Sequence, residues 1–161
     1  DEYLQMHPEL KQGDIVLQEG KPVYIGRATA PSELFEILEL DHFCLTTAQP
    51  EAMVSFYRLL GLKVRKEGER YEIEFPHFKI NLHVIGYPIL PEAKVAVPGT
   101  GDFCLEIKTG SDLSEIAEAF RRLDIFVEGP VIRHGRKGEM TSVYLRDPDQ
   151  NLVELAVYPK Q

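Results

Sequence analysis

Four residues that could bind a divalent metal ion occupy matching places in the two halves of the sequence. His42 precedes "FCL" in the first half and Asp102 precedes "FCL" in the second, and later strands carry His83, in "NLHVI", and Glu154, in "LVELA". Two imidazoles and two carboxylates suit Fe, Mn, Ni, Co or Zn. One shared cation would also offset the cost of burying these groups in apolar strands.

Each of these residues also has a simpler interpretation. A single histidine within a strand is more often a hydrogen-bonded core residue than a metal ligand, and Glu154 follows the turn "DPDQ", where a carboxylate is commonly a surface charge. The metal hypothesis therefore depends on the four residues being equivalent in an internal repeat.

The two halves of the chain can be aligned with one another. "FYRLLGLKV" (56–64) matches "AFRRLDIFV" (119–127), and "NLHVI" (81–85) falls on "LVELA" (152–156), which places His83 on Glu154. An internal repeat takes precedence over local propensities in deciding a fold.

Each half begins with a strand that is followed by a helix. In the first half Pro50 lies at the predicted helix start and Gly61 follows its end, which are the usual start and stop signals. In the second half Asp112 and Glu115 have the spacing of a capping box. Three short runs separated by turn residues then predict three strands in each half.

These patterns predict an α+β fold of two βαβββ modules, preceded by an N-terminal extension. The predicted domain covers residues 39–158, with module one at 39–85, a linker at 86–101 and module two at 102–158. In the extension, residues 1–38, the runs Ile15–Leu17 and Val23–Ile25 predict a small hairpin around a Gly-Lys-Pro turn. "PSELFEILEL" predicts a helical turn before the first module.

Composition limits the partners of the chain. With 161 residues, 26 acidic against 18 basic side chains and a net charge of −8, the chain has no positive footprint for nucleic acid. No apolar run is long enough to cross a membrane. Two cysteines and the lack of a secretory pattern at the start predict a reducing, cytoplasmic setting.

The runs "HFCLTT", "FYRLLGLKV", "INLHV" and "VYLRDPDQNLVEL" together resemble the vicinal oxygen chelate superfamily. This superfamily contains glyoxalase I, extradiol dioxygenases and bleomycin-resistance proteins, and the chain is most similar to small lactoylglutathione-lyase-like glyoxalase-domain proteins. The resemblance implies a curved mixed sheet around a metal cleft, with one ligand from the first and last strand of each module. It also implies a homodimer.

The resemblance implies a metal-dependent lyase or isomerase that acts on a small molecule with vicinal oxygens. Glu154 or Asp102, if displaced from the metal, would then move a proton on the carbon beside the chelated oxygens. The ligand set departs from that of glyoxalase I, and His42, His83 and Glu154 would also make the triad of an iron-dependent extradiol dioxygenase. A metal-free protein of the bleomycin-resistance type, which binds a drug or toxin, is the third hypothesis.

Two further groups of residues are candidates for the site. The basic segment "RHGRKGEM" is either a lid that binds an anionic substrate through Arg133, Arg136 or Lys137, or a solvated hairpin turn. Tyr144 lies on the strand before Glu154 and is either a substrate contact or a packed aromatic residue.

The two cysteines are the last candidates that the sequence offers. Cys44 and Cys104 lie two residues beyond His42 and Asp102, which directs them to the same face of their strands. We interpret them as small core residues rather than as reactive thiols or a disulfide.

Overall fold

The structure is a computed structural model that describes residues 5, 6, 8, 15–24 and 31–160. The chain divides into two compact units, residues 1–39 and 40–161. None of the helices in the described ranges is both long and apolar enough to span a membrane.

The N-terminal unit contains the predicted hairpin. Strands β1 (Ile15–Gln18) and β2 (Lys21–Tyr24) pair in antiparallel fashion. The turn between them is formed by Glu19 and Gly20, with φ angles of 52° and 76°, as expected for a two-residue hairpin turn. The predicted Gly-Lys-Pro turn is therefore wrong by about one residue, and Ile25 lies outside the described residues. A 3-10 helix at Pro31–Glu33 supplies the predicted helical turn.

The second unit contains two four-stranded sheets of identical topology, which confirms the two βαβββ modules. Sheet one has the strand order β3-β6-β5-β4, and sheet two has the order β7-β10-β9-β8. In each sheet the first and last strands are parallel and the other pairs are antiparallel. The elements of module one are β3 (His42–Thr47), α1 (Pro50–Leu59), β4 (Lys63–Glu67), β5 (Arg70–Glu74) and β6 (Lys79–Val84). Those of module two are β7 (Asp102–Glu106), α2 (Leu113–Arg122), β8 (Phe126–Gly135), β9 (Gly138–Arg146) and β10 (Leu152–Val157).

The helices begin where the sequence predicts. Pro50 occupies the first turn of α1, where its missing N–H costs nothing. At the start of α2 the Asp112 side chain accepts hydrogen bonds from the backbone N–H groups of Ser114 and Glu115, at 3.0 and 3.2 Å. Asp112 thus caps α2, whereas α1 begins at Pro50 without a side-chain capping hydrogen bond.

Each helix packs an apolar stripe on one face of the sheets. Met53 and Tyr57 of α1 and Ala117 of α2 are fully buried, and they join Leu45, Leu105 and other strand residues in one core. The first strands of the two modules also touch, because the rings of Phe43 and Phe103 meet edge to face with centroids 5.4 Å apart. The opposite face of each sheet carries the polar side chains discussed below.

The turn between β9 and β10 ties the two modules together. Asp147 is 2% exposed and accepts hydrogen bonds from the Tyr57 hydroxyl at 2.8 Å, from the Asn151 amide at 2.8 Å and from the backbone N–H groups of Asp149 and Asn151. Gln49, which precedes α1, donates to Asp149 Oδ1 at 3.0 Å. Burial and, next, the adjacent Asp147 carboxylate raise the pKa of the Tyr57 hydroxyl, which therefore remains a hydrogen-bond donor.

Candidate functional site

The pairing of first and last strands corrects the alignment of the two modules. Cys44 is the register partner of Asn81 in sheet one, and Cys104 is the register partner of Glu154 in sheet two. Because the two cysteines are equivalent in the repeat, the residue equivalent to Glu154 is Asn81. The alignment of His83 with Glu154 is therefore wrong by two residues.

The two-residue error in this alignment has a physical cause. His83 is the register partner of Thr46 and lies two pairs farther along the same two strands than Asn81. A shift of two residues in a strand keeps every side chain on its original face, so alternation alone could not detect the error. His83 consequently still shares a sheet face with His42.

That face is the one without helices. In β3 the side chains of Phe43 and Leu45 pack toward the core, whereas His42 and Cys44 are exposed on the other side. β7 repeats the pattern, with Asp102 and Cys104 exposed. The prediction that the cysteines share a face with these residues is confirmed, but their assignment to the core is wrong because that face is open, and both thiols are free.

The histidines of sheet one stand in different surroundings. His42 is 43% exposed at its side chain, and its Nδ1 lies 2.6 Å from Asp41 Oδ2. Partial burial lowers the pKa of His83, and the nearby Arg70 guanidinium adds to this effect. The imidazole of His83 is thus kept neutral, which is the form that binds metal ions.

A cavity of about 320 Å³ lies beside His83. Cys44, Thr46 and His83 contribute one wall, and linker residues that include Glu92 and Thr100 contribute the other. The linker thus covers part of the polar face of sheet one, and it places a carboxylate in the same cavity as the imidazole.

The centre of this polar face is a cationic cluster around Glu72. Glu72 is 4% exposed, and its carboxylate accepts hydrogen bonds from Arg65 at 2.6 Å, Lys79 at 2.8 Å and Arg70 at 3.0 Å. Hydrogen bonds from Lys79 and Arg65 lower the pKa of Glu72 to about 2. Arg65 also lies 3.4 Å from Glu74. These residues form the Glu72 cluster.

Asn81 is the neighbour of Glu72 across β5 and β6. It is 3% exposed, and its Oδ1 is buried without a hydrogen-bond partner among the described residues. A buried carboxamide oxygen without a partner is uncommon in folded proteins, because its desolvation is not compensated.

The polar face of sheet two surrounds Glu154 with hydroxyl and thiol groups. Ser142 Oγ donates to Glu154 Oε2 at 2.6 Å, and Tyr144 is the register partner of Glu154. Partial burial and the adjacent Glu154 carboxylate raise the pKa of Cys104 to about 12, so its sulfur is a neutral thiol. The same carboxylate and, above all, burial raise the pKa of Tyr144, whose oxygen accepts a hydrogen bond from Arg133 Nε at 3.1 Å.

The basic segment "RHGRKGEM" is a strand hairpin in the structure. Only Arg136 and Lys137 form the turn, between β8 and β9. Lys137 pairs with Glu106 at 2.9 Å, and Arg133 lies 3.5 Å from Glu128. The segment is therefore a hairpin turn in which two of the three cations have carboxylate partners, and the binding of an anionic substrate by these cations stays a prediction.

The four predicted metal ligands are divided between the sheets. His42 and His83 lie on sheet one, and Asp102 and Glu154 lie on sheet two. Within the part of the chain that the structure describes, no three His, Cys, Asp or Glu side chains are close enough to hold one ion. The donor chemistry suits a divalent cation, but one chain does not bring the four donors together.

Sequence reasoning missed the Glu72 cluster and Asn81. Arg70, Glu72, Lys79 and Asn81 stand at alternate positions of two adjacent strands, and this spacing was the available signal. Alternating polar residues in a strand also describe a solvated face, so only the observed burial of Glu72 and Asn81 distinguishes the two cases.

Comparison with known proteins agrees with this architecture. The family model of the Glyoxalase/Bleomycin resistance protein/Dioxygenase superfamily matches residues 39–155. The chain is 39% identical over 127 residues to the glyoxalase domain-containing protein RDO1 of Mycosarcoma maydis, covering 76% of this chain and 69% of that protein. It is 37% identical over 123 residues to virulence protein STM3117 of Salmonella typhimurium, covering 74% of this chain and 83% of that protein.

A solved structure extends the match to three dimensions. A protein from the mobile metagenome of V. Pseudocholerae superimposes with a TM-score of 0.70 at 40% identity, covering 78% of this chain and 98% of that one. Together with the repeated βαβββ topology, these matches show that the chain belongs to the Glyoxalase/Bleomycin resistance protein/Dioxygenase superfamily.

Proposed function

We propose that the chain is a metal-dependent, glyoxalase-like lyase or isomerase that acts on a small molecule with vicinal oxygens. The observation that carries the proposal is the placement of His42, His83, Asp102 and Glu154 on the open polar faces of the two sheets. Membership in the superfamily and the neutral state favoured at His83 support it.

The proposed metal site is completed by a second copy of the chain. Two donors on each sheet, with no group of three in the described part of one chain, favour a homodimer that brings sheet one of one copy to sheet two of the other. The exposure of His42, Cys44, Asp102 and Cys104 in the single chain is consistent with faces that a partner covers.

The ion, which is Ni, Zn, Mn, Co or Fe, would polarise the vicinal oxygens of the substrate as a Lewis acid. The protein residues supply the rest of the chemistry. Ser142 holds Oε2 of Glu154, and the neutral Tyr144 and Cys104 lie beside the same carboxylate. Whichever of Glu154 and Asp102 is displaced from the ion is proposed to accept the proton from the substrate carbon and to return it to the adjacent carbon.

Elemental analysis tests the proposal directly. Protein purified without added metal, or reloaded after dialysis against a chelator, should contain about one transition-metal ion per chain, with the stoichiometry lost in monomeric fractions. Light scattering after size-exclusion chromatography would report the dimer. Protein that holds less than a tenth of an equivalent and does not rebind any of the five metals would refute it.

A metal-free binding protein of the bleomycin-resistance type is the second candidate. The cavity of about 320 Å³ beside His83 favours this candidate, because part of its wall is the linker and it needs no metal ion to bind a small molecule. Saturable binding of a drug-like molecule by protein without metal, together with failure to bind any metal, would support it.

A further inference from the structure

The Glu72 cluster has more positive charge than its own carboxylates neutralise. Arg65, Arg70 and Lys79 face Glu72, and Arg65 also contacts Glu74, so these five side chains retain one positive charge. The whole chain carries a net charge of −8. The five side chains of the Glu72 cluster thus carry a local excess of one positive charge in a chain that is negative overall, and such a local excess favours an anion.

The cations of the cluster also have unused hydrogen-bond donors. Lys79 and Arg70 both contact one oxygen of Glu72, Oε1, and each makes a single hydrogen bond there. An ammonium group has three donors and a guanidinium group has five. Their side chains are 31% and 26% exposed, so a small ligand can reach both while Glu72 holds them in place.

Asn81 adds an independent indication of a ligand. Its side chain lies on the same sheet face, paired with Glu72 across β5 and β6 and two residues beyond Lys79. Its Oδ1 is buried and has no partner among the described residues, so it can accept a hydrogen bond from a group that the chain does not supply. A hydroxyl group is such a donor.

We propose that the substrate is a 2-hydroxycarboxylate, whose carboxylate binds Lys79 and Arg70 and whose hydroxyl donates to Asn81 Oδ1. This inference rests on the proposed function for the claim that the bound molecule is a substrate. It places substrate recognition on sheet one, beside the buried Asn81, rather than at Arg133 and Lys137 of the hairpin between β8 and β9. The carboxylate and the hydroxyl oxygen are vicinal, as the proposed chemistry requires.

Metal is first removed from the full chain with a chelator, and the chelator is then removed by dialysis. The chain is titrated with glycolate, and two-dimensional ¹H–¹⁵N NMR spectra are recorded at each step of the titration. Glycolate carries a carboxylate beside a hydroxyl, and glycolamide is its neutral analogue. Backbone amides of β5 and β6 should shift saturably with glycolate and should not shift with glycolamide. Acetate, which lacks the hydroxyl, should bind several-fold more weakly.

Variants separate this site from general charge attraction. Lys79→Met and Arg70→Met should each raise the dissociation constant of glycolate about tenfold, as expected for loss of a charge-assisted hydrogen bond. Lys63→Met is the matched control, because Lys63 is exposed on the same polar face at the edge strand β4, and it should change the constant less than twofold.

Glu72→Gln gives a prediction of opposite sign. It frees Lys79 and Arg70 from their carboxylate and should tighten glycolate binding several-fold, which a purely structural role of the cluster would not produce. A chain that shows no saturable shift, or in which Lys63→Met weakens binding as much as Lys79→Met does, would overturn the proposal. Chemical shift changes centred on the turn between β8 and β9 would also overturn the proposal.

The outcome is separable from that of the proposed function. Glycolate binding without any transition-metal binding would leave the carboxylate site standing and remove the metal-dependent activity. Metal binding at full stoichiometry without glycolate binding would leave the proposed metal site standing and remove the carboxylate site.

Discussion

The two sheets have the same topology and register, yet their polar faces differ in chemistry. At the place where sheet two carries Glu154, held by Ser142, sheet one carries the unpartnered amide of Asn81. Sheet one surrounds this place with three cations and one buried carboxylate, whereas sheet two surrounds it with hydroxyl and thiol groups. The repeat thus preserves the backbone and the core while the open faces diverge, which is expected if those faces carry different parts of one function.

The largest expected effect concerns the turns that close the two sheets. In sheet two Asp147 accepts four hydrogen bonds, whereas the corresponding turn of sheet one is closed by the stacked rings of Phe75 and Phe78, 4.3 Å apart. Asp147→Ala should destabilise the protein by about 3–5 kcal/mol, because it leaves buried donors unmatched. Urea denaturation followed by circular dichroism measures this, since the chain has no tryptophan.

A graded variant serves as the control for Asp147. Tyr57→Phe removes one of the four hydrogen bonds and should cost about 1–2 kcal/mol. A free energy of unfolding for Asp147→Ala within about 1 kcal/mol of wild type would mean that the turn is not held by this network.

The second prediction tests whether the two faces contribute to one metal site. His83→Ala in sheet one and Glu154→Ala in sheet two should each lower metal affinity about tenfold or more, as for loss of a direct ligand. His134→Ala, which removes an exposed histidine of β8, is the control and should leave the affinity unchanged. Loss of affinity in only one of the two variants would assign the ion to a single sheet.

A third prediction uses pH to separate the faces. The folded-state pKa of Glu72 is about 2, below its ordinary value of 4.5, so its stabilising contribution is complete above the ordinary value and is lost as pH falls toward the folded value. Wild-type stability should therefore fall over this window more steeply than that of Glu72→Gln.

Glu74→Gln is the matched control for the pH experiment, because Glu74 lies on the same strand with its side chain 41% exposed. Its acid sensitivity should resemble that of wild type. The measurement is the urea midpoint of each protein at pH values above 4.5 and toward 2. If the midpoints of wild type and Glu72→Gln fall with pH in parallel, Glu72 does not contribute strongly to stability.

The smallest effect on stability is expected at Asn81. Asn81→Ala removes a side chain with no hydrogen bond to other described residues, so stability should change by less than about 1 kcal/mol. Asn151→Ala in the turn between β9 and β10 is the control and should cost about 2–4 kcal/mol, because Asn151 accepts from Gly101 N and donates to Asp147. Equal costs would imply that Asn81 is a structural residue like Asn151.

The fold could be predicted because several local signals agreed. Pro50 and Asp112 marked helix starts, alternation marked the strands, and the repeat fixed the order of the elements. The position of the hairpin turn at Glu19 and Gly20 was missed because Pro22 was interpreted as a turn residue. In the structure Pro22 lies in β2, and an edge strand tolerates proline.

The site could be predicted only in part, for a reason of geometry. Sequence alternation assigns a face but not a register, so it placed His83 on the polar face and failed to distinguish it from Asn81 as the equivalent of Glu154. The Glu72 cluster depends on side chains from three strands, and no contiguous motif carries it. Burial of the polar residues became visible only in three dimensions.

The hydrogen bond from Tyr57 to Asp147 joins residues 90 positions apart, one in each module. Asp147 also accepts three hydrogen bonds from donors of its own module, whereas the hydrogen bond of the Tyr57 hydroxyl goes to the other module. Separating the two modules would therefore leave the buried Tyr57 hydroxyl without its acceptor, while Asp147 would lose one of its four donors. The two halves of the repeat therefore share one topology but are not independent in stability, because a buried hydroxyl of the first is satisfied by a carboxylate of the second.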